Sequence, residues 1–329
     1  MLHERKIFTR LIVLVLCAVT FIGCASPVPN KSPRQVYDGF SVHFLDVGEG
    51  DSIFVRFSDG KNMLIDSGER SEELSEFIID FLNNYGVDKI DYLILTHPDS
   101  DHAGNAAAII DEFEIGKAYL PDMRVHINLY AAYFEAYKKI LEKEIPVETS
   151  DIFDYIVGED YGLAFLSPNP NGVKSSYVDF NASQAPTSEL SNAMSPIIYL
   201  EARGVRFVFT GDAPFSQEEV ALNNAEVFNS IYANNGVDVN LENVDFLKVS
   251  HHGANDASSS EFLSVLKPKN AVISVGGDNN YGHPNRDVLE RLSAANENYN
   301  LLRTDVYGTI SVQVDKNGNT KIITDKTVN

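Results

Sequence analysis

From residue 40 onward the chain alternates short apolar runs with polar breaks, the pattern of strands joined by turns. Residues 42–47, 52–57 and 62–66 read as strands, with Ser58-Asp59-Gly60-Lys61 as a turn. The period then changes. Leu74, Phe77, Ile78, Phe81 and Leu82 recur at helical spacing within 72–85, and Gly86 closes the run. Residues 90–96 return to strand and 104–113 to helix. Residues 127–144 read as a helix whose Tyr130, Tyr133, Phe134 and Tyr137 form a packing stripe. Residues 167–191 are rich in Pro, Asn and Ser and read as a long loop bordering a site. Residues 196–212 repeat the layout of 53–66: strand, glycine turn, strand, acid. A helix over 216–233, strands over 245–250, 270–275 and 309–314, and a hairpin turn at 316–319 complete the reading. Two β-rich halves, each followed by helices, predict two sheets packed face to face with helices outside, an α/β chain.

The N-terminus has a different pattern. Arg5, Lys6 and Arg10 precede a 12-residue apolar core over residues 11–22, short for a membrane span of about 20 residues. Residues 1–23 are therefore expected to be a secretion signal of lipoprotein type. Phe21-Ile22-Gly23-Cys24 resembles a bacterial lipobox, which implies lipidation of Cys24. Phe21 departs from the usual Leu, so a retained anchor helix or simple cleavage stays open. Residues 24–39, with Pro27, Pro29 and Pro33, read as a tether. The folded domain is expected over 40–325, outside the cytoplasm and joined to a membrane through lipid alone.

Composition narrows the chemistry. Cys17 and Cys24 are the two cysteines, so residues 25–329 offer no thiol ligand, disulfide or cysteine nucleophile. The net charge is −21, and since residues 1–23 contribute +2 (Arg5, Lys6 and Arg10 against Glu4), the remainder carries −23. Such a surface repels nucleic acid at long range, so any contact with it must be local.

The candidate chemistry follows strand ends. Thr96-His97-Pro98-Asp99-Ser100-Asp101-His102 places two imidazoles and two carboxylates after Leu93-Ile94-Leu95. Clustered carboxylates repel one another unless a cation joins them. Asn192, Asp212, the pair His251-His252 and His283 sit in comparable places. Five of the eight histidines belong to this set.

These stretches resemble the metallo-β-lactamase superfamily. More narrowly, they resemble the metallo-hydrolase domain of competence DNA-uptake channel proteins of the ComEC/Rec2 type. The resemblance rests on residues 44–52, Leu64-Ile65-Asp66-Ser67-Gly68, residues 96–104, Thr210-Gly211-Asp212, Leu247 to Gly253, Ser274-Val275-Gly276, Asn280 to Pro284 and Arg303-Thr304-Asp305. It implies a four-layer αββα sandwich and one or two metal ions. The superfamily motif is His-x-His-x-Asp-His; here Asp99 replaces its second His, and Asn192 stands where another His is expected. The first site would then hold His97, Asp99 and the bridging Asp212. The second, favoured, site would hold Asp101, His102, Asp212 and one of His251 and His252, with His252 preferred by register. Oxygen donors in the first site favour Mn²⁺ or weak Zn²⁺ there.

The implied reaction is hydrolysis by metal-activated water, oriented by Asp101, with His283 donating to an oxygen of the substrate. Lys248 is expected either to neutralise a phosphate or to lie in a salt bridge. The leading expectation is an exported phosphodiesterase or nuclease. The alternatives are hydrolysis of a small ester or cell-wall metabolite, and a non-catalytic metal-stabilised binding lipoprotein.

Overall fold

The computed structural model describes residues 39–121, 130–150, 153–168, 188–232 and 235–327. The signal, Cys24, all but the end of the tether, and residues 169–187 of the long loop lie outside the described residues. No described helix is long and apolar enough to cross a membrane.

Alternation within each strand decides which side of its sheet is covered. The first sheet begins with β1 (Phe40–Phe44), β2 (Ile53–Arg56), β3 (Asn62–Ile65), β4 (Lys89–Ile94), β5 (Glu114–Leu120) and β6 (Val147–Thr149). The second contains β7 (Tyr155–Val157), β8 (Tyr161–Phe165), β9 (Ile198–Ala202), β10 (Val205–Phe209), β11 (Phe246–Lys248), β12 (Asn270–Ile273) and β13 (Asn300–Arg303). β14 (Ile310–Val314) and β15 (Thr320–Thr324) return to the first sheet, whose order is β15-β14-β1-β2-β3-β4-β5-β6. The second runs β13-β12-β11-β10-β9-β8-β7.

Phe40, Val42 and Phe44 of β1 point inward to meet Phe207 and Phe209 of β10 in the core between the sheets. The alternate residues point out. On the first sheet's outer face, Leu64 and Leu93 pack under helices α1 (Glu72–Asn84), α3 (Ala106–Glu112) and α4 (Ala131–Glu142), α2 being the short turn Ser100–Ala103. On the second sheet's outer face, Val208, Ala271 and Ile273 pack under α6 (Phe215–Tyr232), α7 (Ser260–Leu266) and α8 (Arg286–Ala295). Two single-turn helices, α5 (Ser188–Asn192) and α9 (Thr304–Tyr307), complete the set. The layers are helix, sheet, sheet, helix, as the αββα expectation requires.

The internal echo is visible in the pairing. β2–β3 and β9–β10 are antiparallel hairpins, each followed by parallel neighbours, β4 after β3 and β11 after β10. Because β3, β4, β10, β11 and β12 end on one edge, the residues just beyond them face each other, where α/β sheets build their sites. The sequence reading differs from the structure in its edges. β5 to β8, β13, β15, α7 and α8 have no counterpart among the elements that the apolar pattern predicts, and the end of the 167–191 stretch is helical, with Asn192 closing α5.

His43 belongs to the fold. It lies on the outer face of β1, between Ser41 and Ser311 (2.9 and 2.8 Å) and against the rings of Phe54, Phe81 and Tyr85. Burial lowers its pKa from 6.5 to about 3. The folded protein thus keeps His43 neutral while the unfolded chain protonates it below its ordinary value. Its stabilising contribution is complete above pH 6.5 and is lost as pH falls toward 3. That loss amounts to about 2 kcal/mol by pH 5. In His43→Gln, the difference in urea midpoint between pH 7.5 and pH 5 should shrink by a corresponding amount. An unchanged difference would refute the assignment.

Candidate metal centre

Five histidines converge here, and in each the Nδ1 is engaged by the protein. After β3, Asp66 adopts φ 59, a left-handed conformation that aims its carboxylate across to the end of β4. Asp66 accepts from the Thr96 amide (2.8 Å), from Thr96 Oγ1 (2.7 Å) and from His102 Nδ1–H (2.8 Å). Because Thr96 Oγ1 donates its proton to Asp66, it accepts from His97 Nδ1–H at 3.0 Å. His252 Nδ1–H donates to the Ser274 carbonyl (2.8 Å), His251 Nδ1–H to Asp256 (3.0 Å) and His283 Nδ1–H to Glu49 (2.7 Å). With Nδ1 committed as donor, every ring presents Nε2.

The Nε2 atoms gather around Asp212, which is buried. Its Oδ1 lies 3.2 Å from His102 Nε2 and 3.6 Å from His252 Nε2. Its Oδ2 lies 3.8 Å from both His97 Nε2 and His251 Nε2. Asp101 joins the Oδ1 side, with Oδ2 3.4 Å from His252 and 3.6 Å from His102. Asp101, His102, Asp212 and His252 can place four ligand atoms within 4.8 Å of one another. That is the set expected for the second site.

The other side is looser. Asp99 Oδ2 stands 3.8 Å from His97 Nε2, while its Oδ1 accepts from Ser191. Asn192 Nδ2 donates to His251 Nε2 at 3.3 Å, and its buried Oδ1 has no protein partner. His251, one of the two alternatives the sequence left open, therefore faces Asp212 from this side.

A strained turn delivers the His251-His252 pair. Both residues have positive φ, 50 and 53. The turn is bolted to the one carrying Asp212 by His251 N–H to the Gly211 carbonyl (3.1 Å) and Ser250 Oγ–H to the Ala213 carbonyl (2.7 Å). Such conformations persist where the surroundings over-determine them. Gly50 is held as closely: with φ +136, a Cβ there would stand 2.3 Å from the Asp101 carbonyl oxygen.

Lys248 corrects one expectation. Its ammonium is fully buried, 2.5 Å from Asp51 Oδ2, 3.1 Å from the Gly211 carbonyl and 3.9 Å from Asp212 Oδ1. A cation enclosed behind the ligands does not meet a substrate phosphate. It balances the carboxylates and ties β11 to the Asp212 turn. Breaking such a buried pair costs about 3–5 kcal/mol. Asp51 is read from the sequence as a supporting residue of the glycine-rich turn, and its partner is Lys248. Glu49, Asp256 and Ser195, whose Oγ lies 3.2 Å from His97 Nδ1, carry no signal in the sequence as orienting groups. What marks them is a hydrogen bond to a residue 5 to 234 positions away, such as Glu49 to His283.

The electrostatics suit a cation. Burial opposes protonation of His102, but the carboxylates of Asp212, Asp101 and Asp66 outweigh it and raise its pKa. Burial likewise opposes ionisation of Asp212 and Asp101, yet His102 and His252 hold both well below the usual carboxylate range. His97 is lowered to about 4 by burial and by His102. Asp99 is raised by burial. Asp212 Oδ1 and His97 Nε2 are buried without hydrogen-bond partners. Orphaned acceptors beside convergent imidazoles fit a divalent ion, which would replace the protons the carboxylates otherwise attract.

The Metallo-beta-lactamase superfamily model matches residues 45–177, which include the His97-to-His102 cluster. Together with the relatives below, this supports a metallo-β-lactamase domain in the chain. That domain is similar to one found in curated competence proteins. ComE operon protein 3 of Bacillus subtilis (strain 168) is 28% identical over 93% of this chain and 36% of its own length. Recombination protein 2 of Haemophilus influenzae is 28% identical over 77% of this chain and 26% of its own length. The chain thus spans about a third or less of these curated relatives. Igni18, a metallo hydrolase from Ignicoccus hospitalis, is 15% identical and the match covers 87% of this chain and all of that one, with a TM-score of 0.42.

Asp66 sets the orientation of His102 without facing the cation position. Asp66→Asn should weaken Zn²⁺ or Mn²⁺ binding about 10- to 100-fold. Competition with a chromophoric chelator reads this directly, and wild-type affinity in the variant would refute the role.

Proposed function

We propose that this protein is an exported metal-dependent hydrolase acting on phosphodiesters. The observation that carries the reading is the buried quartet Asp101, His102, Asp212 and His252, with an unpartnered Asp212 oxygen at its centre. The choice of phosphodiester draws on the relatives, one of which is named a recombination protein.

His102, His252, Asp101 and Asp212 would hold one divalent ion. Asp212 Oδ2, His97, His251 and Asp99 are the candidates for a second. A cation there, Zn²⁺ or Mn²⁺, would polarise a phosphoryl oxygen and acidify water. Asp101 is kept ionised by His102 and His252, so it accepts a hydrogen bond and orients the attacking water. Its side chain is 27% exposed, enough to reach the cleft. His283, fixed through Nδ1 by Glu49, offers Nε2 to a leaving-group oxygen. The strained turn and the Lys248–Asp51 pair keep these groups rigid, so little reorganisation is needed as charge develops. The cleft beside them carries Glu49, Glu69, Asp99 and Asp101 against one cation, Arg70, so its charge is net acidic. This acidic rim favours a short substrate over a long polyanion.

Two tests follow. With Mn²⁺ or Zn²⁺ added, the protein should cleave a generic phosphodiester, and Asp212→Asn should lower kcat by at least about 100-fold. Equal turnover by the variant would trace the activity elsewhere. Full metal occupancy without turnover would favour the binding-lipoprotein alternative. The same proposal puts the domain outside the cytoplasm on a lipid at Cys24. Cys24→Ser should move the protein from the membrane fraction to the soluble one, and an unchanged distribution would reject that anchor.

A further inference from the structure

Tyr281 is the most exposed large apolar residue among those described, at 75% of its surface, yet it is not loose. Its ring lies nearly parallel to His283, 18° apart with centroids at 5.6 Å. The turn that carries it is stapled from within. Asn279 Nδ2–H donates to the carbonyls of Gly276 (2.7 Å) and His283 (2.9 Å), while Asn279 Oδ1 accepts from the His283 amide (2.9 Å). Gly282, at φ +77, supplies the bend that folds Tyr281 over His283. A large ring held rigidly in solvent gains nothing from burial, so the core does not account for it.

Its position has chemical meaning. Tyr281 lines the same cleft as Asp99, Asp101 and Glu49. His283 stands between it and the metal ligands, with its ring 5.7 Å from that of His251 and 6.4 Å from that of His252. One flat face of the tyrosine is taken by His283. The remaining exposed surface adjoins a cleft where Glu49, Glu69, Asp99 and Asp101 outnumber Arg70, whose guanidinium pairs with Glu135 (3.0 Å), so charge on this wall gives a phosphate backbone little attraction.

We propose that Tyr281 is a specificity-determining residue that stacks a nucleobase beside the scissile phosphate, so that the substrates are short nucleotide phosphodiesters. This rests on the phosphodiester reading above and names the part of the substrate that the metal ligands do not touch. A π-face accepts any base, which gives affinity without sequence preference. Stacking also supplies the attraction that a chain of net charge −21 cannot supply electrostatically.

The chain contains no tryptophan, so Tyr281→Trp introduces a single indole reporter at this position. With Zn²⁺ present, a thymidine dinucleotide should quench its emission. The same backbone without bases should bind at least about tenfold more weakly. Tyr281→Ala should raise the KM for the dinucleotide roughly 5- to 150-fold relative to a base-free diester. Equal affinity for the dinucleotide and the abasic backbone would overturn the proposal. So would quenching by an N-acetylglucosamine oligomer in place of the dinucleotide, which would indicate a cell-wall glycan. Base-dependent quenching without turnover of any diester would reject the hydrolase reading while leaving the stacking site standing.

Discussion

A buried carboxylate without a hydrogen-bond donor of its own is the constraint on which this structure depends. Asp212 is enclosed between two sheets, and its Oδ1 has no protein hydrogen bond. An isolated charge in such a place is costly, so a fold that keeps one must surround it with positive charge or polarisable partners. Four imidazoles and the Lys248 ammonium supply this within 3.9 Å. The five groups come from two strand ends, those of β4 in one sheet and β11 in the other, and meet Asp212 beyond β10. The requirement to serve one carboxylate is therefore also a requirement that both sheets hold their register. A one-residue slip in β10 or β11 would turn Asp212 or Lys248 toward the other face.

The orienting shell follows from the same need. An imidazole is useful to a cation only with a bare nitrogen, and the protein ensures this by occupying every Nδ1. The acceptors differ in kind: Asp66, Thr96, Ser274, Asp256 and Glu49. Their common effect is one tautomer. The positive φ values at Asp66, His251 and His252 are part of this arrangement, because ordinary backbone would not bring these side chains to one point. The Lys248–Asp51 pair lies one layer deeper and acts through Asp212 and the Gly211 carbonyl.

Much of this was legible along the chain. The His97-to-His102 cluster after an apolar strand, the acid ending Thr210-Gly211-Asp212 and the His251-His252 pair were all visible as polar groups at strand ends. So was the repeated hairpin that builds the two sheets. β6 and β7, with three residues each, set no period of their own, and unlike the comparably short β3 and β11 they lead into no cluster of candidate ligands that would mark their ends. Periodicity also could not show which way Lys248 points. The alternation of Phe246-Leu247-Lys248 fits a strand whose last residue faces either solvent or a buried acid, and the acid, Asp51, is 197 positions away. Glu49 and Asp256 were hidden for the same reason: an acid in a turn signals nothing until its histidine is beside it.

The two sides of Asp212 are unequal in a way that the substitutions explain. On the Oδ1 side, His102 and His252 are fixed by Asp66 and by a main-chain carbonyl, and Asp101 completes a tight quartet. On the Oδ2 side, Asp99 shares one oxygen with Ser191, and Asn192 offers its amide hydrogen to His251. Asp99 keeps Oδ2 and Asn192 keeps Oδ1 free of hydrogen bonds, but each side chain is held through its other polar atom by a neighbour. Burial also raises the pKa of Asp99, which weakens it as an anionic ligand. The replacement of imidazole by carboxylate and amide thus does more than harden the donor set. It also fixes Asp99 and Asn192 through Ser191 and His251, so the geometry on that side is set by neighbours that are not themselves imidazole-orienting carboxylates.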